Sequence, residues 1–316
     1  MVASLRSGPR PPAYYVAISL ISSEGSRPVV ELHPCAGTAE IMLLRIVTWN
    51  CATALHTKYE HLLALKPDIA IVPECAEPDI VRRRAPGFSF SDCEWSGANP
   101  DKGLGVFAFG DLRMRLHQSW NRTYHLFLPV EVRGPELAVN LLAVWAFNHR
   151  TPSEVTPNPE TTEAAVAYYA PFLQAAPAVV AGDFNASVHW DGKSRSASFA
   201  SLNEKLEALG LTSAYHTYGK HAFDHEPHPT LLWQWNEERP YHIDYVYVPR
   251  TWIPCVRSVT VGSSADWVRP KVSDHVPVVV ECDLPNQRAL SSLAGLAGDA
   301  LALTARAAIT PSAPRN

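Results

Sequence analysis

Apolar residues in this chain gather in short runs cut apart by polar turns, and the spacing within the runs switches between strand and helix. "LLRIVTW" (43–49) is rich in β-formers. "KYEHLLALK" follows with helical spacing at Tyr59, Leu62, Leu63 and Lys66, and Pro67 stops that helix because proline disfavours helical backbone before it. "DIAIVPE" (68–74) returns as a strand. "GLGVFAF", "YHLFLPVEV" and "ELAVNLLAVWAF" read as further strands, with no helix between the last two. The second half opens on a helical stretch, "ETTEAAVAYYAPFLQ". It continues as strand "APAVVAGDF", helix "ASLNEKLEALG", strand "HIDYVYV" and strand "HVPVVVEC". Two such halves predict an α+β protein of two packed sheets with helices outside. No short-period repeat is present.

The ends depart from this pattern. Residues 1–41 are rich in Pro, Ser and Gly around one apolar run, "AYYVAISLI", too short for the ~20 residues that cross a bilayer. Arg6 and Arg10 precede that run as in a signal peptide, but "SSEGSRP" makes a poor cleavage region, so secretion is the minor alternative. The tail after Leu284 is rich in Ala, Leu and Ser and reads as disordered or loosely helical. The expected organisation is an extra segment over 1–41, one domain over 42–284 and a tail over 285–316.

Composition narrows the class. At 316 residues, 47% hydrophobic and 18% charged, the chain can bury a sizeable core. A formal charge of −4 and a pI near 6.3 give no basic footprint of the kind that non-specific nucleic-acid binding favours. The one dense basic run, Arg82-Arg83-Arg84, reads as a solvated loop. The six cysteines show no C-x-x-C pair and no zinc spacing, so they read as reduced thiols in a cytoplasmic protein. A monomer is the simplest expectation.

Polar residues recur where the apolar runs end. "IVTWN" ends in Asn50, "IAIVPE" in Glu74 and "AVVAGDFN" in Asp183 and Asn185. "YHIDYVYV" holds Asp244, expected to share a strand face with His242 and Val246, and "SDH" supplies Asp274 and His275. Any one of these is explained by a turn or cap. Repeated at five strand ends they describe one sheet edge, where crowded carboxylates repel unless a cation sits among them. Glu74, Asp274 and the Asn50 amide are oxygen ligands suited to Mg²⁺ or Mn²⁺ rather than zinc. One imidazole beside an acid suits proton transfer. The combination points to metal-assisted hydrolysis of a phosphate ester.

"TWN", "VPE", "GDFN", "HIDYVYV" and "SDHVPVVVE", in this order, resemble the five motifs of the endonuclease/exonuclease/phosphatase superfamily. The resemblance covers residues 43 to 283. "KGLGVFAF" and "LLAVWA" further resemble a branch of small bacterial members. It implies a four-layer α/β/β/α sandwich of mainly antiparallel sheets, and a role for each motif residue. Glu74 would ligate Mg²⁺, with Asn50 beside metal and phosphate and Asp274 supporting metal or histidine. Asp183 would orient or deprotonate the attacking water, and Asn185 would bond a non-bridging phosphate oxygen. His275 would face the same phosphate, held and kept protonated by Asp244.

Two positions depart from the family pattern. Ala52 stands where many nuclease branches carry a second acid. Trp145 stands where relatives often show a phosphate-touching Tyr or His, and its indole offers one N–H donor and no proton to exchange. Trp145 reads as core or as a stacking surface for base or sugar. His189, in "HWD" after "GDFNAS", and Lys102, before "GLGVF", are further cleft-edge candidates. His149, His221, His225 and His228 lack ligand spacing and read as surface residues. Nucleic acid is the expected substrate. A smaller ester, a lipid headgroup or phosphorylated metabolite, is the alternative, and a non-catalytic binding module is the third reading.

Overall fold

The computed structural model describes residues 3–5, 41–146, 159–191 and 198–285. Apart from residues 3–5 and 41, the expected N-terminal segment lies outside the described residues, as does the tail beyond Pro285.

Among the described residues fifteen strands, numbered in chain order, form two large sheets and one small one. The first large sheet contains β1 (Ala3–Leu5), β2 (Ile41–Thr48), β3 (Ile69–Cys75), β4 (Asp92–Asn99), β5 (Lys102–Ala108), β14 (Val256–Val261) and β15 (Val278–Pro285). Its order is β1-β14-β15-β2-β3-β5-β4. The second contains β6 (Arg113–Leu116), β7 (Phe127–Arg133), β8 (Ala138–Trp145), β9 (Ala178–Asp183), β10 (Leu211–Ser213) and β13 (Asp244–Pro249), in the order β10-β13-β9-β8-β7-β6. β11 (Leu231–Leu232) and β12 (Pro240–Tyr241) form a small hairpin. Within the large sheets only β2 with β3 and β8 with β9 run parallel, so both are mainly antiparallel as expected.

Burial explains the apolar runs. Along β9, Val179 and Ala181 pack into the core between the sheets, while Ala178 and Val180 pack outward under helices α3 (Pro159–Gln174) and α4 (Phe199–Ala208). Along β13, Val246 and Val248 face inward and Tyr245 and Tyr247 outward. A strand covered on both faces has no polar side to show, and its sequence runs apolar. On the other flank, Leu62 of α1 (Tyr59–Ala64) and Val81 of α2 (Pro78–Arg84) are fully buried against the first sheet. The result is the expected sandwich with helices outside. The arginine triplet, expected in a loop, is instead the exposed last turn of α2, where cations suit the helix C-terminus.

Candidate active site

Strand direction brings the motif residues to one edge. β2 and β3 lie side by side and in parallel, so Asn50 and Glu74 emerge together at their C-terminal ends. β15 runs antiparallel to β2, with Val278 opposite Thr48, so the Asp274–His275 pair before it arrives at the same place. In the second sheet Asp183 at the end of β9 pairs with Asp244 at the start of β13, and Trp145 at the end of β8 lies beside Asp183.

At this edge two side-chain hydrogen bonds cross from one sheet to the other. Asn50 Nδ2 donates to Asp183 Oδ2 at 2.9 Å, and His275 Nδ1 lies 2.9 Å from Asp244 Oδ2. Asn185 holds Asp183 from the other side, through its backbone N–H at 2.9 Å and its amide at 3.1 Å. Ser273 ties the first motif to the last: its hydroxyl donates to the Asn50 carbonyl at 2.8 Å and accepts from the His275 N–H at 3.1 Å. Thr230, which sequence reading passed over, is fully buried, and its hydroxyl accepts from the N–H groups of Ile243 and Asp244. Its carbonyl accepts from Val276 N–H, so one segment fixes both Asp244 and the His275 turn. A hydroxyl serving the start of β13 from 14 residues away leaves no local pattern to read.

Burial sets the electrostatics. Asp183 is buried, and desolvation with the nearby Asp244 charge raises its carboxyl to about 7. Burial alone would push His275 down; the Asp244 carboxylate in contact overcomes it and holds the imidazolium to about 10. Ligating atoms of Asp183, Asp244 and His275 lie within 4.8 Å of one another, a cluster already tied together by the His275–Asp244 bond.

The donors expected for a cation sit beside this cluster. Glu74 has a left-handed backbone, φ 63°, at a register shift in β3 between Pro73 and Cys75, which turns its side chain out of the ladder. Its Oε2 faces the Lys102 ammonium at 3.1 Å, and Oε1 lies 3.4 Å from the Asn50 amide nitrogen. The Asp274 carboxyl is raised, chiefly by burial. Glu74 and Asp274 therefore fit a hard cation, and an ammonium already occupies one face of Glu74. Asn50 fits less directly, because its Oδ1 accepts from Ala52 N–H at 3.0 Å and its nitrogen faces the carboxylates.

The remaining candidates divide. Lys102 lies at the edge with its Nζ 5.5 Å from the Trp145 ring, and Trp145 is buried in the inter-sheet core. His189 is exposed and pairs with Asp224 at 3.1 Å, while Asp191 caps α4 by accepting from Phe199 and Ala200. His242 lies before β13 rather than on its inward face: its ring packs on Tyr215 and Tyr245, so the expected alternation from Asp244 does not reach it. Expected at the surface, His221 and His228 are half-buried against Tyr215, and only His225 is exposed as read. His149 lies outside the described residues. Sequence reading also missed two cation–aromatic pairs near the site, Arg239 with the exposed Trp233 and Lys271 with Trp235, at 5.4 and 4.7 Å.

Comparison with known proteins fits this geometry. The Endonuclease/Exonuclease/phosphatase family profile matches residues 47–275. No match was found among curated proteins. Among solved structures, a 3' phosphatase from Neisseria, bound to a product DNA hairpin, is 19% identical, with a TM-score of 0.58 over 76% of this chain and 100% of that one. An AP endonuclease from Archaeoglobus fulgidus is 15% identical, with a TM-score of 0.54 over 76% of this chain and 100% of that one. One from Leishmania major is 13% identical, with a TM-score of 0.56 over 77% and 88%. At these identities the likeness is one of fold. The profile, which spans most of the sequence and every motif residue, carries the assignment: the chain belongs to the endonuclease/exonuclease/phosphatase family and is a phosphoric ester hydrolase.

Proposed function

We propose that the protein is a metal-dependent phosphodiesterase that cleaves nucleic acid. The observation that carries this reading is the bonded network of Asn50, Asp183, Asn185, Asp244 and His275 across the two sheets. Glu74 and Asp274 would hold Mg²⁺ or Mn²⁺, which as a Lewis acid polarises the phosphate and stabilises the leaving oxygen. Asp183, its carboxyl near 7, is suited to orient and deprotonate the attacking water. The Asn185 amide donates toward a non-bridging oxygen as charge builds there. His275, kept protonated by Asp244, places a cation beside the same phosphate.

Nucleic acid is favoured by the Trp233–Arg239 and Trp235–Lys271 pairs, since stacked rings with flanking cations suit bases and backbone. The DNA hairpin bound to the Neisseria phosphatase points the same way. A smaller phosphate ester is the second reading. It is favoured by a cavity of about 530 Å³ beside the site, the size of one nucleoside-sized group rather than a strand.

The test incubates the purified protein with single- and double-stranded DNA and RNA, in Mg²⁺ and in chelator. Metal-dependent cleavage is expected, reduced by about 10²-fold or more in His275→Ala. Absence of metal-dependent cleavage of every polymer rejects the nucleic-acid reading. Phosphate release from a panel of small esters would then select the second.

A further inference from the structure

The turn that follows Asn50 has a backbone that its own residues do not explain. Ala52, Thr53 and Ala54 are consecutive, none is glycine, and all three are left-handed, with φ of 46°, 64° and 50°. Residues with a Cβ rarely adopt this conformation, and it persists only where the surroundings hold it. The far end is pinned by the fully buried Leu55 and by Thr57, whose N–H and hydroxyl donate to the Ala54 carbonyl at 2.9 and 3.0 Å. The near end is held by Lys58.

The half-buried Lys58 donates from its ammonium to the carbonyls of Cys51 at 2.7 Å and Ala52 at 3.2 Å. The Cys51–Ala52 peptide group is therefore held at both ends, its carbonyl by Lys58 and its N–H by Asn50 Oδ1 at 3.0 Å. The second of these bonds decides which way the Asn50 amide faces. With Oδ1 engaged, Nδ2 is left to face Asp183 at 2.9 Å and Glu74 at 3.4 Å. Lys58 thus reaches the bond between Asn50 and Asp183 through one peptide plane.

Helix α1 has no use for a lysine at this place. Lys58 is its N-cap, a position that favours Ser, Thr, Asp or Asn, and the side chain makes no capping bond. The charge instead belongs to the catalytic edge. Burial pushes the ammonium below its usual range, and the Asp274 and Glu74 carboxylates oppose that shift. Lys58 is therefore within electrostatic reach of both donors suited to a divalent cation, and Lys102 faces Glu74 as well, at 3.1 Å.

We propose that Lys58 is a positioning residue of the hydrolytic site, a fixed cation that holds the left-handed turn and orients the Asn50 amide toward Asp183. The proposal rests on the reading above that Glu74 and Asp274 hold the divalent cation. Lys58 acts on the site in two opposed ways. Its bonds to the turn favour hydrolysis, whereas its charge weakens the hold of Glu74 and Asp274 on a second positive ion. Removing the ammonium should slow hydrolysis and tighten cation binding together. A lysine that served the fold alone would not link the two.

The experiment compares the full chain with Lys58→Met, which keeps the stem and removes the charge, and with Lys58→Arg, which keeps the charge. Mn²⁺ binding is followed by electron paramagnetic resonance without substrate, at low ionic strength, where charge is least screened. Hydrolysis of bis(4-nitrophenyl) phosphate is followed separately in saturating Mg²⁺. In Lys58→Met, Mn²⁺ should bind several-fold more tightly while kcat falls by about 10-fold or more. Lys58→Arg should keep the wild-type Mn²⁺ affinity and most of kcat. If Lys58→Met folds poorly, Thr53→Gly supplies a background in which the left-handed turn forms freely and the charge is still tested. The Mn²⁺ comparison needs no turnover, so it decides even where the diester is not cleaved. Mn²⁺ binding that Glu74→Gln leaves intact would defeat the cation assignment itself, a failure distinct from that of Lys58. Unchanged or weaker Mn²⁺ binding in Lys58→Met, or an undiminished kcat, overturns the proposal.

Discussion

Asp183 and His275 face each other's charge in the same buried space, and burial acts on them in opposite senses. It raises the carboxyl to about 7, whereas the imidazole stays charged to about 10 only because Asp244 lies against it. If Asp183 works as carboxylate and His275 as imidazolium, kcat/KM rises with pH through about 7, because below it the base is protonated. It stays level until about 10, where the imidazolium is lost. Asp244→Asn removes the charge that opposes burial, so the falling limb should move down into the neutral range while the rising limb stays or drops. A pH series on a fluorogenic oligonucleotide reads both limbs. A falling limb unmoved in Asp244→Asn would remove the pair from the mechanism. At this scale much was legible, because Asn50, Glu74, Asp183, Asp244 and His275 each end or open an apolar run. Thr230 was not, because the N–H groups it serves, those of Ile243 and Asp244, lie 13 and 14 residues away and leave no periodic trace.

Elements were legible where both faces are covered. β2, β3, β8, β9 and β15 announce themselves as apolar runs, whereas β4, with Ser96, Gly97 and Asn99 and only partial burial, shows no such pattern. β14, "VRSVTV", breaks its run with an arginine and a serine. Within β9, Gly182 carries a further constraint. Its φ is +148°, and a Cβ there would lie 1.8 Å from the Val144 carbonyl oxygen of the neighbouring strand. No rotamer relieves a clash with backbone, so Gly182→Ala must push β8 and β9 apart one residue before Asp183. The expected loss is more than about 3 kcal/mol, in the range of severe core substitutions. Urea unfolding followed by circular dichroism measures it. A wild-type midpoint in Gly182→Ala would mean that this register is wrong.

The whole molecule is a device for holding two sheets at a fixed offset, since the two bonds that complete the site, Asn50 to Asp183 and His275 to Asp244, each cross between them. Neither sheet alone assembles the site. A cation bound at Glu74 and Asp274 would join β3 to the turn before β15 within the first sheet, and it should stabilise the fold as well as serve the chemistry. At Mg²⁺ tenfold above its Kd, selective binding to the folded state contributes about 1.4 kcal/mol. For a domain of this size that corresponds to a rise in Tm of about 3–6 °C. Lys102 already neutralises part of Glu74, so the Mg²⁺ ion must displace or share that contact, and the shift should saturate in the millimolar range. Glu74→Gln removes the charged donor and should abolish the shift while leaving the metal-free Tm nearly unchanged, because the lost Lys102 pair is partly exposed. Differential scanning calorimetry with Mg²⁺, Mn²⁺ and chelator separates these outcomes. A shift that persists in Glu74→Gln would move the cation away from the edge that both sheets build.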